Sequence, residues 1–236
     1  MAAKHNNTGL LRMTWEHVLF MHWPVPYEEI RPYVPESLEL DTFQGQAYIA
    51  VVPFVMRSLT LTRLPVLGRL QFPELNLRTY VTYNGKPGVY FLHLDSGSRV
   101  ANRIARRLFH LNYQDASFQL HPGLDTFALD MRHRRRNSEA EFAAQYGPAS
   151  PMFSALKGSF NEWCTERYRF FSVSNRGHVY EGALSHPVWR LQEGSVNVRR
   201  NTLFEAFGLT PPIEDPHVLY SRGVVVSAKR IRRIDT

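Results

Sequence analysis

One segment constrains the fold more than any other: FPELNLRTYVTYNGKPGVYFLHLD, Phe72 to Asp95. Leu75, Leu77, Thr79 and Val81 alternate with Glu74, Asn76, Arg78 and Tyr80, the period-two pattern of a strand with two distinct faces. Asn84-Gly85 supplies a hairpin turn, because the favoured two-residue turn needs positive φ at both central positions. A two-residue turn sets Arg78 opposite Phe91, and a four-residue loop sets it opposite His93. Either register puts Phe91 and His93 on the face of Glu74, Asn76, Arg78 and Tyr80. Only an odd-length loop with a bulge would change that.

That face mixes charge, amide and phenol with large rings. A solvated face would carry more Lys, Ser and Thr and fewer aromatics. A ligand pocket combines apolar walls with a few convergent polar groups. The opposite face, with Leu75, Leu77, Val81, Tyr90, Leu92 and Leu94, already provides a core surface. The polar face is therefore expected to line the interior of a barrel or cone. The competing reading is a buried Glu74–Arg78 ion pair that only joins sheets.

The rest of the chain is mostly short apolar, β-branched and aromatic runs separated by Gly, Pro, Asn and Asp. Strands are expected over Trp15–Trp23, Ala47–Met56, Tyr168–Val173, His178–Leu184, Val188–Val198 and His217–Ile231. Pro53 marks its strand as an edge or a bulge. Short helices are expected over Pro26–Tyr33, after Ser159 and at TLFEAF. Ser98 should cap a helix reaching Phe109, with Val100, Ile104 and Leu108 on its apolar side and Asn102 among the arginines of the other. The stretch from Asn137 to Pro151 reads as a long loop. The expected fold is mainly β, with minor α: an antiparallel barrel or cone with a few peripheral helices, in a single domain spanning 1–236. At 236 residues and 44% hydrophobic content, such a chain can bury a substantial core.

Composition excludes several classes. The single cysteine, Cys164, rules out an internal disulfide. No apolar run approaches a membrane span and the first residues lack a signal-peptide core, so no membrane association and a cytoplasmic location are expected. Motifs for a serine nucleophile elbow, a phosphate loop, a dinucleotide fold and a zinc protease are all absent. The histidines show no metal-ligand spacing, so neither a metal nor another cofactor is expected. The net charge of +7 comes almost wholly from arginine, since only four of the 28 basic residues are lysine. The arginines are scattered. The one basic run, MRHRRRN at 131–137, lacks the interleaved aromatics of a stacking platform, so nucleic-acid binding is the weaker reading.

Several stretches together resemble the YqjF-like family, a bacterial family of unknown function. They are VPESLELDTFQGQAYIAVVPF, FPELNLRTYV, GKPGVYFLHLD, ARRLFHLNYQDA, TERYRFF and HPVWRLQ, and they run in order through nearly the whole chain. That family resembles acetoacetate decarboxylase in fold, which implies a cone-like β-barrel around an enclosed polar pocket. Glu74 falls where the decarboxylase carries an active-site glutamate. The decarboxylase's adjacent lysines, one of which forms an imine with the oxo acid, fall instead at Tyr113 and Gln114. Neither can form an imine, and Lys4, Lys86, Lys157 and Lys229 read as exposed charges.

The remaining groups define the expected site. Arg78 could hold a carboxylate in a bidentate pair, Tyr113 could donate to a carbonyl or enolate oxygen, and Glu74 could act as acid or base if burial raised its pKa. Asn76, Tyr80, His93, Gln114, Glu166, Tyr168 and His186 complete the expected ligand-binding set. The partner is a small anionic organic molecule, an oxo acid or similar. The protein is then either a lyase-like or enolising enzyme without an imine-forming lysine, or a sensor or carrier using the same pocket. Exposed strand edges leave room for a homodimer.

Overall fold

A computed structural model describes residues 9–61, 70–134 and 139–235. Two long strands, β1 (Leu11–Val25) and β3 (Ala47–Leu61), lie beside the hairpin of β4 (Phe72–Tyr83) and β5 (Lys86–Ser96). The helical turns α1 (Tyr27–Ile30) and Arg31–Tyr33, and the short β2 (Glu39–Leu40), fill the connection between β1 and β3. Helix α2 (Arg99–Phe109) and β6 (Tyr113–Asp115) follow β5. Next come β7 (Ser117–Pro122), β8 (Phe127–Arg134) and β9 (Glu139–Pro148). The chain ends with α3 (Phe160–Thr165), β10 (Arg169–Val173), β11 (Val179–Ser185), β12 (Gln192–Asn201), α4 (Leu203–Ala206), β13 (His217–Ala228) and β14 (Arg232–Arg233). No helix among the described residues is long and apolar enough to cross a membrane.

The strands run in the order β14-β11-β10-β5-β4-β3-β1-β13-β12-β9-β8-β7. Strand β11 also reaches β13 through Leu184↔Ala228 and Ser185↔Ser227. Seven strands thus curl into a cone whose ends meet over two residue pairs. Antiparallel pairing dominates, but β10 and β6 each lie parallel to β5. Beyond β13 the strands β12, β9, β8 and β7 fold back over the cone's outer surface. Leu129, Phe142 and Tyr146 of that layer share one buried cluster with Leu19, Met21, Leu75 and Leu77. The cone's interior forms a second cluster that includes Phe20, Val52, Phe54, Phe72, Val89 and Trp189.

The two faces of β4 separate these clusters, as its alternation predicts. Asn84 (φ 49°) and Gly85 (φ 70°) form the two-residue turn, and Arg78 pairs with Phe91. The next pair is Leu77↔His93, so Leu92 is an extra residue in β5. That bulge reverses the parity of β5 beyond Phe91 and carries His93 to the outer face. A second irregularity lies in β1, where His17 has φ 52° and the pairing with β3 shifts between Glu16 and Met21. Pro53 sits opposite it in an interior strand, at a bulge and not at an edge.

Three other expectations need correction. The stretch expected as a loop is the ten-residue strand β9, whose inward residues Ala140, Phe142, Ala144 and Tyr146 alternate strictly. In α2, Ser98 Oγ does cap Ala101 N, but the buried positions are Ala101, Asn102 and Phe109, while Val100 and Leu108 are exposed. Asn102 is held inward by its Nδ2 donating to Asp115 Oδ1 (2.7 Å) and its Oδ1 accepting from Ser96 Oγ (2.6 Å). In the basic run, Met131 and His133 are buried and Arg132 pairs with Glu141 at 2.7 Å, so it begins as an ordinary strand. Residues 135–137 of that run, and Lys4, lie outside the described residues.

Candidate functional site

The cone encloses a cavity of about 130 Å³, with Glu74, Asn76 and Arg78 on its wall. That is close to the size of an apolar cavity able to hold one benzene. Rings from Trp15, Phe20, Phe54, Phe91, Phe170 and Trp189 line it together with aliphatic side chains such as Val52, Met56 and Val89. Helix α2 closes one end with Ala101, Asn102, Ala105 and Phe109, and the exit from α3 brings Thr165 and Arg167 to the lining. Glu74 and Arg78 are four residues apart on one strand face, so their Cα atoms are separated by roughly 13 Å. The two groups therefore occupy different parts of the cavity and form no ion pair with each other.

At the Glu74 position, Tyr113 Oη donates to Glu74 Oε1 at 2.8 Å. Burial pushes the Glu74 carboxyl up to about 8, against the opposing effect of hydrogen bonds from Tyr113 and Asn76. Glu74 is therefore mostly protonated at neutral pH and can donate a proton as well as accept one. Burial and the neighbouring Glu74 carboxylate push Tyr113 well above the usual phenol range, so it is a neutral donor.

At the Arg78 position the chemistry is different. Arg78 Nη2 donates to the Cys164 carbonyl at 3.3 Å and to Tyr80 Oη at 3.5 Å. The guanidinium lies against the rings of Phe20 (5.6 Å) and Tyr80 (5.7 Å), and its Nε is buried without a partner. It makes no ion pair among the described residues. The groups in contact with it, Phe20, Tyr80 and the Cys164 carbonyl, carry no charge. Burial, with Arg78 itself, holds His22 well below its ordinary range. Burial raises Tyr80 and Cys164 each to about 12. Arg167 lies against the other side of this cluster, 5.0 Å from the Tyr80 ring. It pairs with Asp41 at 2.7 Å, and its Nη2 is buried and unpaired. The indole N–H groups of Trp15 and Trp189 are also buried without partners.

Of the expected residues, Glu74, Asn76, Arg78, Tyr113 and His186 line the cavity. Tyr80 lies behind the wall, its hydroxyl taken by the Cys164 carbonyl (3.0 Å) and His22 Nε2 (2.6 Å). Glu166 and Tyr168 are hydrogen-bonded to each other outside the lining, and Glu166 Oε1 also accepts from the Trp189 backbone N–H at 2.9 Å. They brace the wall, with the His186 ring stacked on Tyr168 at 4.5 Å. His186 Nδ1 donates to the Pro187 carbonyl at 2.8 Å, which leaves Nε2 as its acceptor. Tyr80, Glu166 and Tyr168 thus lie outside the lining, and two further expected residues point away from it altogether. The Leu92 bulge puts His93 on the outer face, and the Gln114 side chain turns away to Asn112.

Arg167 was missed because Glu166 and Tyr168 were expected to share the inward face only if TERY were extended. Glu166 instead ends α3 (φ −84°, ψ 60°), which changes which side chain points in. Trp15, Asn102 and Thr165 carried no local signal of a site. No described lysine reaches the cavity: Lys86, Lys157 and Lys229 are all exposed.

The family model of DUF2071, described as an uncharacterized conserved protein, matches residues 12–225. "Uncharacterized protein YqjF" of Bacillus subtilis (strain 168) is 45% identical over 215 residues, covering 90% of this chain and 88% of that protein. Among solved structures, the enduracididine biosynthesis enzyme MppR complexed with pyruvate has a TM-score of 0.67 at 11% identity, covering 99% of this chain and 93% of that one. Acetoacetate decarboxylase from Legionella pneumophila also has a TM-score of 0.67, at 13% identity, covering 99% of this chain and 92% of that one. At such identities these two structures bear on the fold alone, which is acetoacetate decarboxylase-like. The chain belongs to the DUF2071 family, the YqjF-like group.

Proposed function

We propose that the cavity binds a small organic carboxylate with an apolar body, and that Glu74 and Tyr113 move a proton at its oxo or enol oxygen. The observation that carries this reading is the Arg78 guanidinium, buried among neutral groups with Nε unpaired. A buried charge without a counter-charge is costly, and a carboxylate entering the cavity would supply one. Arg167 Nη2 and the indole N–H groups are further unpaired donors on residues of the same lining. The aromatic lining favours a hydrocarbon or ring beside the carboxylate over a fully hydrophilic acid. The volume limits the ligand to roughly the bulk of a benzene ring and a few atoms.

A protonated Glu74 donates to the oxo oxygen as the α-carbon loses a proton to solvent water, giving the enol; on collapse the Glu74 carboxylate takes back the enol proton while water returns one to the α-carbon, with Tyr113 holding the carboxyl in place. No imine is involved. A relative in fold, MppR, is described in complex with pyruvate, an oxo acid, which favours this ligand class. Carriage or sensing of the same acid without turnover is the alternative within this reading.

The test is a thermal-shift and calorimetric panel of monocarboxylates: pyruvate, phenylpyruvate, benzoate and hexanoate, against neutral amides of the same bodies. Binding by the apolar acids that is lost in Arg78→Met supports the reading. Equal binding of acids and amides, or binding unaffected by Arg78→Met, overturns it. Deuterium exchange at the α-carbon of a bound oxo acid, abolished by Glu74→Gln, separates an enzyme from a carrier.

A further inference from the structure

The outer face of β5 carries a second cluster of chemically able groups, unrelated to the cavity. His93 and Asp95 stand two residues apart on that face, opposite Leu77 and Leu75 of β4. His133 reaches them from β8, in the layer folded over the cone. All three are buried, at 6%, 0% and 3% exposure. One ligand atom from each lies within 4.8 Å of the other two. Glu74 and its β5 partner Ser96 occupy the opposite strand face, so this cluster and the cavity lie back to back.

Hydrogen bonding among the three leaves them poorly satisfied. His133 Nδ1 bonds Asp95 Oδ1 at 2.7 Å. His93 Nε2 lies 3.0 Å from the same oxygen but is not aligned for a hydrogen bond. Asp95 Oδ2 and His133 Nε2 are buried without any partner. The Phe207 ring, 4.0 Å from His93, closes that side with carbon. Three unpaired polar atoms in one buried cluster are unusual, and a bound cation would satisfy them.

We infer that His93, Asp95 and His133 form a binding site for a divalent transition metal of the zinc type, tying β5 of the cone to β8 of the outer layer. Two imidazoles and one carboxylate suit zinc and its neighbours; calcium and magnesium require more oxygen ligands. Three protein ligands leave one position for water. An ion would take one nitrogen from each ring and engage the carboxylate. It would reinforce the contact that the His133–Asp95 hydrogen bond makes between the two layers, so its role is structural. The inference does not depend on the reading of the cavity.

The experiment adds Zn²⁺ or Co²⁺ to chelator-treated full-length protein, then removes excess ion by gel filtration. The expected result is about one retained equivalent, a rise in melting temperature with Zn²⁺, and visible d–d absorption of low-symmetry Co²⁺. All three are lost in Asp95→Asn and His133→Gln and persist in His121→Ala, an exposed control. No retained ion in the wild type overturns the inference, as does retention unchanged in the folded variants. If those variants do not fold, ¹⁵N spectra of wild-type histidine rings decide. Zn²⁺ must shift the nitrogen resonances of His93 and His133, and unchanged resonances overturn the site.

Discussion

Tyr113 Oη donates to Glu74 Oε1 at 2.8 Å, joining the strand that follows α2 to the polar file of β4 inside the cone. The Glu74 carboxyl ionises only near pH 8 because burial outweighs this bond. The linkage has a definite sign. The unfolded chain loses the Glu74 proton near pH 4.5, while the folded protein keeps it to about 8. Between those values the folded state binds more protons, so this group's contribution to stability declines as pH rises and levels off above 8. Glu74→Gln should gain on the wild type across that window, by on the order of a few kcal/mol at its upper end. Urea unfolding of both proteins at pH 5, 7 and 8.5 measures it. A constant difference between them would contradict the raised pKa.

Tyr113→Phe tests the same bond from the other side. The phenol lowers the Glu74 pKa by donating to the carboxyl, so its loss should raise that pKa further. The alkaline limb of any Glu74-dependent activity then moves to higher pH, and kcat falls because the carboxyl is no longer held. A spectroscopic titration of the Glu74 carboxyl, by difference infrared, checks the direction without needing a substrate.

The architecture and half of the candidate site were legible because alternation is a local signal. Glu74, Asn76 and Arg78 line the cavity because period two on β4 forces them to share a face. His93 was lost to one extra residue, Leu92, which nothing in the sequence marks as a bulge. The inward turn of Arg167 depends on where α3 unwinds, and helix ends are poorly specified by local sequence. Asn102 reads as polar surface on a helical wheel. It is buried because Ser96 and Asp115, brought up by β5 and β6, satisfy its amide. The His93–Asp95–His133 cluster joins residues about 40 positions apart through tertiary packing, so no spacing rule could have found it.

Arg78→Met should separate stability from binding. The long apolar side chain can replace the guanidinium stem against Phe20 and Tyr80, and it removes a buried charge that has no counter-charge. Replacing buried charge by well-packed hydrophobes is often neutral or stabilising by about 1–4 kcal/mol. The ligand-free variant should therefore melt no lower than the wild type and up to several degrees higher, at about 2–4 °C per kcal/mol for a chain of this size. Its affinity for carboxylates should fall at least tenfold. Differential scanning calorimetry and titration calorimetry on one preparation read both. A destabilised variant would mean that Arg78 serves the fold and not a ligand.

Gly182 of β11 sits where the cone wall has no room for a side chain. A Cβ there would come within 2.1 Å of the Phe170 ring, which lines the cavity. Phe170 and Gly182 are direct partners in the β10–β11 ladder, so the ring covers the glycine and owes its position to the missing methyl. Gly182→Ala must push the ring inward or part the strands, at a cost of about 1–3 kcal/mol for overpacking. Gly158 provides the contrast, because nothing lies within 4 Å of its would-be Cβ. Its φ of +78° makes Gly158→Ala a backbone cost of about 1–2 kcal/mol with no effect on the cavity. Both variants should lose stability in chemical denaturation, but only Gly182→Ala should weaken binding of apolar carboxylates. Equal ligand affinity in the two variants would show that Phe170 does not shape the ligand's space.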